Sequence, residues 1–376
     1  MIYLDYVSTT PLSEEIDKTY QDILHKYFAN SESLHDLGRE VSVLVEKSRH
    51  QIATLFHVLD NEIIFTSGAS ESNNIALKSV AWALREKGRH IITSAYEHSS
   101  TDGAAHQLAE VFGFDVTYLS PNESGVITLD AVKSALRPDT ILVSLMHVNN
   151  EIGSINPVAE IGEYLKKHSQ AVFHVDAVQA LGKLPINAEN IDLMSCSMHK
   201  IFGLKGSGIL LKKQHIPVVP LISGGQQEFN IRGGTINFAP DIVAAKTIRL
   251  ALDSQKEHYE AVARLRDHLV SELKQIDGVI LNSFEEGSPF IVNFSYPKLS
   301  SEVMMNAFNN QGFALSAQST CHSKSKSISH VYSAMHYDSA RAESAVRVGL
   351  SHRNTMQEID AFIATLKGII KSYGRI

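Results

Sequence analysis

Cysteine is nearly absent from this chain: its 376 residues include two, Cys196 and Cys321. Two cannot build a disulfide framework and do not have the spacing of a zinc site, so each is either a small buried hydrophobe or a reactive thiol. An excess of positive charge is missing as well. The 34 Lys+Arg stand against 41 Asp+Glu, a formal charge of −7. That balance gives no long-range attraction for nucleic acid or an anionic membrane, and no direct nucleic-acid partner is expected. No apolar run approaches bilayer length, and the opening MIYLDYVSTTPLSEE has no basic segment ahead of an apolar one. A membrane span and a secretory signal are therefore not expected, and the expected location is the cytoplasm. Repeats and low-complexity tracts are also lacking, although Ser316 to Ser333 is rich in serine and histidine.

What is present is an α/β alternation in an ordinary globular composition, 44% hydrophobic. Short apolar runs at Glu62–Phe65, His90 onward, Asp115–Leu119, Thr140 onward, AVFHVD, LMSCS and GSGILLKK are separated by helical patterns. That rhythm indicates a parallel sheet with helices on both faces. A long helical pattern from Asp241 to Ile276 reads as a linker, and the remainder reads as a smaller α+β unit. Polar residues follow the strands directly: His98, Asn150, Asp176, Gln179, Ser197, His199 and Lys200. In a parallel sheet they gather at one edge, where ligands bind outside the carboxyl ends of strands.

Asp176 and Lys200 are the pair to explain. A lysine amine with a buried carboxylate suits pyridoxal 5'-phosphate (PLP): the lysine holds the aldehyde as a Schiff base, and the carboxylate keeps the pyridine nitrogen protonated. Alone, the pair also fits chance placement at two strand ends. FTSGASESNN adds a strand, a small-residue turn and a helix start from Glu71; Gly68, Ala69 and Ser70 there would let a phosphate approach backbone N–H groups, or would simply cap a helix. In FANSESLHDLG, Asn30 and His35 lie in a polar loop ahead of a helical pattern from Arg39 to Phe56, where helix capping by the asparagine and serine fits at least as well as ligand contact. GGQQEFNIRGGTINF, with Arg232 and Thr235, is too polar for a core element and long for a simple connection.

Taken in order, LDYVSTTP, FTSGASESNN, the Glu97–His98 pair, MHVNNEIG, HVDAVQ, Ser197 to Lys200, RGGT, and a cysteine loop followed by VRVGLS resemble the cysteine desulfurase family, PLP enzymes of the class-V aminotransferase group. The resemblance implies a large PLP-binding domain over residues 15–250, with a mainly parallel seven-stranded sheet flanked by helices. A small α+β domain from residues 1–14 and 251–376 would carry the cysteine loop. It further implies that Lys200 forms the Schiff base, Asp176 pairs with the pyridine nitrogen, His98 lies over the ring and Gln179 sits near the phenolic oxygen. Ala69, Ser70, Ser197 and His199 would hold the phosphate, with Thr235 reaching the phosphate of a neighbouring subunit in a homodimer. Asn150 and Arg347 would position the substrate carboxylate, and Cys321 would be the nucleophile that takes sulfur from L-cysteine as a persulfide. A protein acceptor, an iron–sulfur scaffold or a tRNA-thiolation enzyme, would receive that sulfur. The alternatives are a selenocysteine lyase or aminotransferase of the same class, in which Cys321 is dispensable, and a degenerate partner protein. Cys196 reads as a buried strand residue. Two departures from the family pattern stand out: Met198 replaces a glycine before the histidine, and SAQSTC replaces a glycine-bearing cysteine loop.

Overall fold

The structure is a computed structural model that describes residues 1–317 and 328–374. Among the described residues twelve strands form three sheets: β1 (Ile2–Tyr3), β2 (Ile63–Thr66), β3 (His90–Ser94), β4 (Asp115–Leu119), β5 (Thr140–Met146), β6 (Val172–Asp176), β7 (Leu193–Ser197), β8 (Gly208–Lys212), β9 (Ile280–Leu281), β10 (Ile291–Ser295), β11 (Phe313–Ala314) and β12 (Ala345–Gly349). The main sheet has seven strands in the order β2-β8-β7-β6-β5-β3-β4. All its strands run the same way except β8, which is antiparallel to both its neighbours.

The period of two along each strand explains why the sheet is covered on both faces. Ile63, Phe65, Ile92, Val143, Phe173, Val175, Met194, Cys196, Ile209 and Leu211 point into one core, whereas Ile64, Ile91, Leu142, Val172, Leu193 and Leu210 point into another. Strands buried on both faces read as continuous apolar runs, and the polar residues are left to the strand ends.

The first ten residues tie the smaller sheets to the large one. β1 runs parallel to β11, Asp5 bridges to Gly349 at the end of β12, and β12 pairs with β10, which pairs with β9. The chain then crosses to the large sheet, where the Thr10 N–H donates to the His199 carbonyl at 2.9 Å.

Two expected elements differ. The pattern from Asp241 to Ile276 is two helices, Phe238–Asp253 and Gln255–Lys274, meeting at Ser254, whose ψ of 3° leaves the helical range. The helix expected from Glu71 starts at Ala69 and passes through a π-helical stretch, Ile75–Ser79. His35, and not the asparagine or a serine of its loop, caps the helix Asp36–Phe56, accepting from the Gly38 N–H at 3.1 Å.

Candidate active site

A cavity of about 640 Å³ opens at the carboxyl ends of β2, β5, β6 and β7. Its walls bring together Ala69, Ser70, His98, Asn150, Asp176, Gln179, Ser197, His199, Lys200 and Arg347, and its size is that of a cofactor or ligand pocket.

At one end β2 runs into a turn. Gly68 has φ +142°, a conformation that a side chain resists, and the helix begins at the next residue. Gly208, at the start of β8, abuts this turn: a Cβ there would lie 2.5 Å from the Gly68 Cα. The Ser67 N–H donates to Glu71 Oε2 at 2.7 Å, and Arg232 Nε donates to Glu71 Oε1 at 2.9 Å, so the glycine-rich loop is pinned to this helix start. Ser197 and His199 also line the cavity. Burial, and then the charges of Lys200, Lys205 and Lys183, push the His199 imidazole down to about 4. It is neutral at pH 7, and its Nδ1 lies 3.1 Å from Thr9 Oγ1.

Asp176 ends β6 and is buried. Its Oδ1 accepts from the Val178 N–H at 3.0 Å and its Oδ2 from Asn73 Nδ2 at 2.8 Å. The same Asn73 amide donates to Ser100 Oγ at 2.9 Å, and Ser100 Oγ lies 2.8 Å from His98 Nδ1. The Ser100 N–H donates to that ring nitrogen at 3.2 Å, so Nδ1 is an acceptor and Nε2 carries the ring proton. Just ahead of His98, burial pushes the Glu97 carboxyl up to about 8, although the Ser94 hydroxyl and the Met146 N–H both donate to its Oε1.

Lys200 Nζ donates to the Val7 and Ser8 carbonyls at 2.8 and 2.7 Å. Gln179 Nε2 donates to the same Val7 carbonyl at 3.1 Å. Arg347, 2% exposed, donates to the Asn150 carbonyl, Asp5 Oδ1, Ser8 Oγ and Ser316 Oγ. Its Nε is buried without a partner among the described residues.

The aminotransferase class-V family model matches residues 2–362. Cysteine desulfurase IscS of Dictyoglomus turgidum is 40% identical over 374 residues, covering 98% of this chain and 94% of that protein. Among solved structures, a NifS-like protein superposes with a TM-score of 0.92 at 32% identity, covering 99% of both chains. SspA in complex with cysteine superposes with a TM-score of 0.82 at 32% identity, covering 94% of this chain and 100% of that one.

The chain belongs to the cysteine desulfurase family of class-V aminotransferases.

For a member of that family, Met198 is accommodated simply. The side chain is buried in the core, and room for it exists at Gly203, where a Cβ would lie 2.9 Å from the Met198 Cβ. Cys196 is fully buried in β7, and burial pushes its thiol up, so it is a packing residue. Thr235 is exposed on the glycine-rich loop and does not line the cavity of its own chain. Cys321 lies outside the described residues, as do His322, Lys324 and Lys326.

Sequence reasoning assigned no individual role to Asn73, Ser100, Glu71, Lys183 or the Asp5–Ser8 segment, the last of which lies within the LDYVSTTP motif. Only Asn73 had a usable signal: it lies one helical turn past Ser70 and so shares its face. Also missed was what holds the glycine-rich loop. Glu228, Phe229 and Asn230 are all left-handed, at φ +46°, +57° and +64°. Glu228 accepts from the Phe65 N–H at 2.8 Å and forms a two-bond ion pair with buried Arg49, which stacks between the Phe65 and Phe229 rings. Such a conformation persists only where its surroundings over-determine it.

Proposed function

We propose that the protein binds PLP in this cavity and converts L-cysteine to L-alanine, leaving the sulfur as a persulfide on Cys321. The observation that carries the reading is the meeting of the Asp176 carboxylate, the Lys200 amine and the Gly68–Ser70 helix start around one cavity. The donor set fits the cofactor: a buried carboxylate for the pyridine nitrogen, an amine for the aldehyde, and backbone N–H groups with Ser70, Ser197 and His199 for the phosphate. When bound, PLP supplies an electron sink for the substrate Cα.

Asp176, held by Asn73 and Val178, keeps its carboxylate aimed at one end of the cavity. His98 presents Nε2–H, and Gln179 faces the cavity near Lys200. Arg347, whose buried Nε has no partner among the described residues, and Asn150 take the substrate carboxylate. The Lys200 amine accepts the Cα proton. The Cys321 thiolate attacks the substrate sulfur, a new S–S bond forms, and the Cβ–S bond breaks with its electron pair left on carbon. Protonation of that carbon gives alanine. His322, Lys324, Lys326 and His330 adjoin Cys321 in sequence, and positive charge favours the thiolate.

The active unit in this reading is a cytoplasmic homodimer, with Thr235 completing the phosphate site of the neighbouring subunit and a protein acceptor taking the persulfide sulfur. Residues 15–250 would form the cofactor domain, and residues 1–14 and 251–376 the domain carrying Cys321. The test is purified protein with PLP, L-cysteine and a thiol reductant, which supplies the two electrons that release the persulfide sulfur as sulfide. Wild type is expected to yield alanine and sulfide, and Cys321→Ala to keep the yellow cofactor absorbance while losing sulfur transfer. Normal sulfur transfer by Cys321→Ala would overturn the persulfide step and favour a selenocysteine lyase or aminotransferase.

A further inference from the structure

Behind Lys200 lies a second cavity of about 230 Å³, which shares Lys200 as a wall with the first and is also lined by Lys183. Lys183 does not reach the candidate active site itself. It sits four residues after Gln179 in a run of turns from Ala177 to Leu184, so the two side chains face each other. Lys183 Nζ donates to Gln179 Oε1 at 2.7 Å, and Gln179 Nε2 donates to the Val7 carbonyl that also accepts from Lys200.

We infer that Lys183 is a positioning residue: from behind the site it fixes the Gln179 amide. The inference rests on the reading of Lys200 as the cofactor lysine. An amide can present either its oxygen or its nitrogen to the cavity. With Oε1 held by Lys183 and one Nε2 hydrogen held by Val7, the remaining N–H is left for the cavity that Gln179 lines. Gln179 is thereby a donor toward bound oxygen, not an acceptor.

Burial, and then Lys200 and Arg347, push the Lys183 ammonium down to about 7. The contact with Gln179 does not depend on that proton, because the amine and the ammonium both have an N–H to donate.

Three variants test the contact: Lys183→Met removes the donor, Lys183→Gln keeps a neutral donor, and Lys183→Arg keeps a charged one. The readout is PLP affinity by fluorescence titration, beside thermal melting of the same samples. Affinity is expected to weaken about tenfold in Lys183→Met, less in Lys183→Gln, and to recover in Lys183→Arg. Wild-type PLP affinity in Lys183→Met, or a loss that Lys183→Arg does not recover, would overturn the positioning role. If Lys183→Met does not fold, the comparison of Lys183→Gln with Lys183→Arg carries the test. Borohydride reduction of wild type with PLP tests the underlying reading separately: absence of a Lys200 conjugate sinks the cofactor assignment, while a Lys200 conjugate with wild-type PLP affinity in Lys183→Met sinks the positioning role alone.

Discussion

Gly208→Ala tests the phosphate turn without touching any group that would contact a ligand. The added Cβ would lie 2.5 Å from the Gly68 Cα, 2.8 Å from the Gly68 carbonyl carbon and 2.8 Å from the Cys196 carbonyl oxygen, all backbone atoms. Something must move on the order of 1 Å to restore ordinary contact. β8 cannot supply the movement, because it is hydrogen-bonded along its whole length to β2 on one side and β7 on the other. The turn is the softer party, bounded by β2 and a helix start. In cofactor-free protein the turn shifts and the contact with Gly68 relaxes at little cost in thermal stability, while the contact with the Cys196 carbonyl in β7 persists in both states. Binding of PLP requires the turn to return, and the overpacking cost of about 1–3 kcal/mol then appears as about 5- to 150-fold weaker affinity. The assay is fluorescence titration of PLP into cofactor-free protein beside thermal melting of the same sample. Gly103→Ala is the control: its Cβ meets nothing within 4 Å in the helix Ser99–Phe112, so it should raise stability by about 0.5–1 kcal/mol and leave PLP affinity alone. Wild-type PLP affinity in Gly208→Ala with a large drop in melting temperature would refute the reasoning, since it would mean that β8 yields and the turn does not.

Arg49→Met should destabilise by about 3–5 kcal/mol, because it leaves the Glu228 carboxylate buried against Phe65 without its cation; urea unfolding checks it, and Arg49→Met with Glu228→Leu should recover much of the loss. The pH dependence of stability should carry the signature of the buried imidazoles. Burial pushes His174 down to about 3 and His147 to about 4, against about 6.5 in an unfolded chain. Between those values the unfolded chain binds more protons, so stability rises with pH and is lost as pH falls from about 6.5 toward 4. Thermal midpoints from pH 7 to 4.5 should show that slope, and His174→Gln should melt lower but with a shallower slope; an unchanged slope would rule His174 out as its source.

The sheet was legible because its signal is local. Ile63–Phe65, Leu142–Val143 and Val172–Phe173 fill both cores, and Ser67, Asn150 and Asp176, which line the cavity, come after those runs. Asp176 and Lys200 could be paired from sequence for the same reason: the end of a strand is a position that a pattern can mark. The supports of the site follow a different rule. Asn73 finds Asp176 across 103 residues of chain, Lys200 finds Val7 across 193, and Arg49 finds Glu228 across 179. In sequence Asn73, Lys183, Arg49 and Glu228 have the polarity of a solvated helix or loop surface, and hydrophobic period cannot tell an exposed charge from one that closes a buried pair. The three left-handed residues at Glu228–Asn230 sharpen the point, since neither glycine nor asparagine occupies the first two and local propensity argues against the turn. Only the tertiary anchor at Arg49 and the Phe65 N–H makes that turn affordable, so the segment becomes predictable only after the helix Asp36–Phe56 has been packed against β2. The residues that do the chemistry are therefore marked locally, while those that aim them are chosen by the folded chain.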